Sequence, residues 1–244
     1  MPLPKLDVPQ YEVTLPSGTR IVYRAFLVKE EKLFLMASQS TDTDTIVTTV
    51  KQVLSNCIVE GPPIDEFPIF DVEYLLLHIR ARSVGETVEL SYRCNAPIPQ
   101  SDGSTAVCGT KSTYTVDLLN IKPTTHPDHQ KIVMLTNTVG VTMRYPLFGT
   151  FSRALLEELK TDDALDIILS CIENIFDEQS VHYAKDIPKS ELLDFIETLT
   201  PQQLQKLDRF FETLPKNDIT IPFDCPSCHH TETIVAKGID NFFV

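Results

Sequence analysis

In the stretch FDCPSCHH, Phe223 to His230, two residues separate Cys225 from Cys228. At that spacing two thiolates can reach one tetrahedral metal ion from a single turn. Two ligands make half a site. The other half is sought at Cys94 and Cys108, which have thirteen residues between them. Cys94 closes the strand-like run VELSYRC and Cys108 leads into KSTYTV, while Cys225 and Cys228 lie between DITIPFDC and HTETIVAK. Each pair therefore stands at the mouth of a β-hairpin, and two hairpins offering two thiolates each make a ribbon-type four-cysteine site. The expectation is one structural zinc on Cys94, Cys108, Cys225 and Cys228. Two alternatives stay open: a site in which His229 or His230 joins Cys225 and Cys228, and no metal at all. The residues between the first pair, NAPIPQSDGSTAV, read as a polar loop inserted inside a knuckle. A redox role for the C-x-x-C is disfavoured, because it calls for a helix N-terminus and strands flank this motif.

The other reactive residue types have simpler readings. Cys57 and Cys171 fall within apolar helical patterns and read as inert core thiols. Eight scattered glycines form no phosphate-cradling loop, and neither a Walker motif nor a G-x-S-x-G elbow is present. His126 and His129 in HPDHQ read as a solvated loop, His78 as a satisfied and partly buried side chain, and His182 has no recognisable partner. The acidic pairs Glu30/Glu31, Glu157/Glu158 and Asp162/Asp163 read as solvated helix faces and helix-start charges. No catalytic residue and no small-molecule substrate is expected.

The elements that position the cysteines follow from periodicity. YEVTLPSGTRIVYRAF alternates on both sides of Pro16-Ser17-Gly18 and predicts a β-hairpin. LVKEEKLFLMAS predicts a helix, and TDTDTIVTTVKQVLSNCI another, capped by Asp42 or Asp44, with Ile46, Val50, Val53, Leu54 and Cys57 on one face. A third helix is expected near Asp71 to Ser83, with Leu75, Leu76 and Ile79 in the core and Asp71, Arg80 and Arg82 pointing elsewhere. The arginines are expected to pair with Glu31, Glu73 or another local carboxylate, or to face a partner. Residues 86–146 alternate over short runs and predict antiparallel strands. Residues 147–216 read as helical, with Leu165, Ile168, Leu169, Ile172 and Phe176 on one face. Thr200, Pro201 and Gln203 mark a capped helix start. Residues 217–244 return as a hairpin whose strands are expected to rejoin the earlier sheet. The fold class is α+β, one domain over 1–244 in which 1–85 hold a hairpin plus helices, with a zinc-ribbon-like four-cysteine knot.

At 244 residues and 42% hydrophobic composition the chain can bury its own core. The 34 acidic and 21 basic residues give a formal net charge of −13. With no basic patch, nucleic acid and membrane surfaces are excluded as expected partners. No run approaches the roughly 20 apolar residues of a membrane span, and MPLPKLDVPQ lacks the pattern of a secretory signal, so an intracellular protein is expected.

Two segments carry a resemblance. YEVTLPSGTRIVYRAFLVKEEKLFLMA, Tyr11 to Ala37, and FPIFDVEYLLLHIRARSVGE, Phe67 to Glu86, resemble the baseplate hub proteins of T-even-type contractile-tailed bacteriophages, and the likeness runs more loosely through GVTMRYP to the final cysteines. The long Cys94–Cys108 loop departs from it. The resemblance implies a late protein that is a minor subunit or an assembly factor of the tail baseplate hub and binds other hub proteins. It implies the cytoplasm of the infected host, or the virion tail baseplate, as the location, and no enzymatic activity. The alternative, a metal-dependent or peptidoglycan-active tail enzyme, would need an open metal position and a nearby acid. The apolar tail NFFV is a candidate contact surface.

Overall fold

The computed structural model describes residues 6–40, 42–100, 104–150, 152 and 161–236. Strands β1 (Gln10–Thr14) and β2 (Arg20–Arg24) form the expected hairpin, with Tyr11 opposite Tyr23 and Thr14 opposite Arg20. Its loop closes with Gly18 at φ +94°, a conformation that glycine adopts without steric cost. Helices α1 (Val28–Ser38) and α2 (Thr43–Cys57) follow, and Asp42 caps α2 by accepting the Thr45 N–H at 3.0 Å. β3 (Ile58–Glu60) then pairs with β2, so the sheet order is β1-β2-β3. Val13, Leu15, Ile21 and Tyr23 from the hairpin meet Val50, Val53, Leu54 and Cys57 from α2. Burial pushes the Cys57 thiol up to about 11, as suits an inert core thiol.

Helix α3 (Ile69–Ser83) begins directly after Pro68 and is buried on two sides. Val72, Leu75, Leu76 and Ile79 complete the first core, while Leu77 and Ala81 pack on Leu118 and Ile121. Three expectations change here. Asp71 is fully buried and accepts the Ser17 N–H at 3.0 Å, because the β1–β2 turn lies over the start of α3. Glu30 is no solvated helix residue: it is buried and accepts from Arg24 and from the Leu27 N–H. His78 is partly buried as expected, but its Nε2 has no partner among the described residues. Its ring packs on Tyr74 and Tyr23, and burial pushes its pKa down to about 4, so it is neutral. Arg82 pairs with Glu86 and lies 4.9 Å from the Tyr11 ring, so this arginine holds α3 to the hairpin.

Several short antiparallel strands lie within residues 86–146. β4 (Thr87–Arg93) pairs with β7 (Lys111–Asp117), and between them β5 (Pro97–Pro99) pairs with β6 (Thr105–Val107). The presumed polar loop is thus a hairpin. Its flanking bonds, Cys108 N–H to Ala96 O and Gln100 N–H to Ser104 O, involve Ala96 and Gln100. Pro97 and Pro99 fall at alternate positions, where a missing N–H costs the ladder nothing.

β8 (Ile132–Met134) and β9 (Gly140–Met143) lead to helix α4 (Thr161–Ser170). The chain then departs from the expected helical block. Ile172 and Phe176 lie on β10 (Ile172–Phe176), which turns back as β11 (Val181–Tyr183) and gives a sheet of order β11-β10-β9-β8. The Asp177 carboxylate forms the turn by accepting from the Gln179 and Ser180 N–H groups. Helices α5 (Lys189–Glu197) and α6 (Pro201–Glu212) cover the sheet, α6 opening with the expected Thr200/Gln203 capping box. Val141, Met143, Ile168, Cys171, Ile172, Leu192, Ile196, Leu207 and Phe210 form this second core. His129 is wedged here rather than solvated. Its ring stacks on Tyr145, and Nδ1 meets the Thr213 hydroxyl at 3.0 Å. His182 is exposed and contacts the Ser180 hydroxyl.

Among the described residues the last strands, β12 (Ile219–Asp224) and β13 (Thr231–Ala236), pair only with each other. They approach β4 and β7 through side chains and do not rejoin the earlier sheet. The architecture is α+β with several antiparallel sheets. Among the described residues no helix is long and apolar enough to cross a membrane. Glu157, Glu158 and the NFFV tail lie outside the described residues.

Candidate metal centre

The two cysteine-bearing hairpins are built alike. Cys94 directly follows β4, and Cys225 directly follows β12. Cys108 stands three residues before β7, and Cys228 three before β13. The backbone bonds repeat as well. Cys94 donates its N–H to Thr110 O and accepts from the Gly109 N–H; Cys225 donates to His230 O and accepts from the His229 N–H. The residue after each second cysteine is left-handed, Gly109 at φ +70° and His229 at φ +59°. The thirteen-residue and two-residue spacings therefore describe one kind of knuckle, the first carrying the β5–β6 hairpin as an insertion.

Side-chain packing sets the knuckles tip to tip. Phe223 lies edge-on to Tyr92 with ring centroids 4.9 Å apart, and the Tyr92 hydroxyl donates to Glu232 at 2.8 Å. The four Sγ atoms all fall within 4.8 Å of one another. Cys94 faces Cys228 at 3.7 Å and Cys108 faces Cys225 at 3.7 Å. That distance is nearly twice a disulfide's S–S length of about 2 Å, and all six cysteines are free. Cys94 and Cys225 are buried, whereas Cys108 and Cys228 are half-buried.

A backbone N–H faces each sulfur: Ala96 at Cys94, Thr110 at Cys108, Cys228 and Ser227 at Cys225, and His230 at Cys228. The Cys228 N–H, helped by Ser227 and opposed by burial, brings Cys225 down to about 6. The Thr110 hydroxyl and N–H lower Cys108. Burial pushes Cys94 up to about 12, against the Ala96 N–H. At Cys228 the His230 N–H lowers the pKa, but burial and the adjoining thiols outweigh it and the net direction is upward. Sulfurs this crowded cannot all ionise without a cation among them.

The four sequence-predicted residues are thus brought together. Among the described residues the cluster contains no histidine; His229 enters through its backbone, and the His230 ring lies 3.7 Å from Glu232. Four soft donors and no oxygen suit a thiophilic ion such as zinc. Gly109 is a turn residue that the sequence already offered beside Cys108; spacing alone did not reveal Thr110 or the matching strand offsets, which aligning the two cysteine pairs by their strand ends would have shown.

The profile of the T4 bacteriophage base plate protein family matches residues 8–244. The chain belongs to this base plate family. It is 24% identical over 237 residues to the baseplate hub assembly protein gp26 of Enterobacteria phage T4, covering 96% of this chain and 98% of that protein. No solved structure matches it. In this base plate protein, the segments Tyr11–Ala37 and Phe67–Glu86 are two sides of one packing surface. Ser17 binds Asp71, the Phe26 N–H donates to Ser83 Oγ at 2.9 Å, and Tyr11 lies under Arg82.

Proposed function

We propose that this base plate protein is a subunit or assembly factor of the tail baseplate hub and works by binding other hub proteins. The observation that carries this reading is the alignment with the hub assembly protein gp26 over 96% of the chain. That span takes in the hairpins and the helices rather than one module. The net charge of −13 supports protein partners over phosphate backbones. In this reading the protein acts in the cytoplasm of the infected host while tails are built, or within the virion baseplate. It uses no nucleic acid, membrane or small-molecule substrate and is not an enzyme. The paired knuckles serve as a zinc-ribbon-type scaffold, since four thiolates fill a tetrahedron and leave no position for water or substrate.

The test is capture of the tagged full chain from infected cells, together with infection by phage lacking its gene. Hub and baseplate proteins are expected in the capture, and incomplete baseplates in the deletion. Capture without any baseplate protein, or release of cell-wall fragments by the purified chain, would overturn the reading.

A further inference from the structure

We infer that Cys94, Cys108, Cys225 and Cys228 hold one zinc ion in a closed site that fixes the β12–β13 hairpin onto the β4–β7 hairpin. Four sulfurs each about 2.3 Å from the centre of a tetrahedron lie about 3.8 Å from one another. The two cross-hairpin separations of 3.7 Å match that figure. The knuckles supply two ligands each from backbones bent in the same way. Each sulfur also faces a backbone N–H, the arrangement that steadies a metal-bound thiolate.

Side-chain contacts, Phe223 on Tyr92 and Tyr114 and the Tyr92 hydroxyl on Glu232, join the two hairpins beside the sulfurs. Among the described residues β4–β7 and β12–β13 are two-stranded sheets with no backbone ladder between them. Their shared apolar cluster has four buried members, Cys94, Ala96, Phe223 and Cys225, of which two are ligands themselves. Two-stranded ribbons are marginal alone, and small cores need a staple. A tetrahedral all-thiolate site with no open position suits zinc or iron, and a closed four-cysteine set is the form that structural zinc takes.

The experiment uses the full chain purified without chelator. Elemental analysis should find about one zinc per chain, and cobalt replacement should give the absorption of a tetrahedral thiolate site. Cys225→Ser and Cys108→Ser should lower zinc to under about 0.2 per chain, while Cys57→Ser and Cys171→Ser leave it unchanged. Because a ligand variant can fail to fold, the wild-type chain is also stripped with a chelator and followed by hydrogen exchange. Protection should fall across residues 87–117 and 219–236 and persist in α2, α3, β9 and β10. Zinc under about 0.2 per chain in the wild type, stoichiometric iron instead, or exchange unaltered by stripping would each overturn the inference.

Discussion

Glu30 and Asp71 are both closed off from solvent, and their environments set opposite pH dependences. At Glu30 burial raises the pKa, but Arg24 at 3.0 Å and the Leu27 N–H at 2.8 Å outweigh it and hold the carboxyl below its ordinary 4.5. A depressed folded pKa contributes stability that is complete above that ordinary value and is lost as pH falls through the folded one. Glu30→Ala should therefore cost about 3 kcal/mol in urea unfolding at pH 7 by leaving Arg24 unpaired. The difference from wild type should shrink in melts below about pH 4. At Asp71 burial outweighs the Ser17 N–H and raises the pKa above 3.8. Its ionisation therefore opposes folding, and stability declines as pH rises from that value through the folded one. Asp71→Asn keeps an acceptor for Ser17 and discards the charge, so its melting temperature at pH 7 should equal or exceed wild type. Asp71→Ala should lose about 1–2 kcal/mol. An asparagine variant clearly less stable than wild type at pH 7 would mean that Asp71 is ionised and paired. Neither burial was legible in the sequence, where both residues read as helix-surface acids. Ser17 stands 54 residues from Asp71, so no local pattern could announce the contact.

Among the elements, the two cysteine knuckles differ in length and agree in form. Thirteen residues between ligands is far from the usual two to four, yet the strand offsets and backbone bonds around Cys94 and Cys108 repeat those around Cys225 and Cys228. If the β5–β6 hairpin is an insertion, replacing Asn95–Val107 by Pro-Ser should leave a folded chain whose zinc content equals wild type. Loss of the metal together with an intact helical circular-dichroism signal would show that the hairpin is part of the site. β10 is the reverse case. Leu165, Ile168, Leu169 and Ile172 have helical spacing, yet Ile172 begins a strand. β9 offers it an antiparallel partner, with Ile175 opposite Val141, and central pairing in a buried sheet outweighs a weak propensity for helix. Helix α6 needed no such help, because Thr200, Pro201 and Gln203 lie within four residues of one another.

Across the whole molecule α3 is the shared wall. One side completes the core under the N-terminal hairpin, and the other packs on Leu118, Ile121 and Ile219. The C-terminal segment is tied to the same helix by Asn217, whose buried amide donates to Phe70 O at 2.7 Å and to Glu73. Asn217→Ala should cost about 1–3 kcal/mol, because a buried carbonyl loses its donor. The loss should appear as earlier hydrogen exchange in β12 and β13 than in β9 and β10. Uniform acceleration across the chain would place Asn217 in the global unfolding unit instead. This tie and the proposed four-sulfur site are two separate fastenings of one hairpin, so the Asn217 variant is expected to match the wild type in zinc content.

By itself the sequence determined the N-terminal hairpin, the Asp42 and Thr200 helix starts, the strands of residues 86–146, the two cysteine pairs and the kinship with phage hub proteins. Each of these is written in a short window, by turn chemistry, alternation, a cap or a motif. Tertiary structure alone decided that β10 is a strand, that the last hairpin stands apart, that Glu30 and Asp71 are enclosed and that His129 is half-buried against Tyr145. It also decided that Cys94 comes to 3.7 Å from Cys228 across 134 positions of sequence. Burial and long-range pairing depend on which surfaces meet, and a short window of sequence records its own periodicity but not the surface that will cover it.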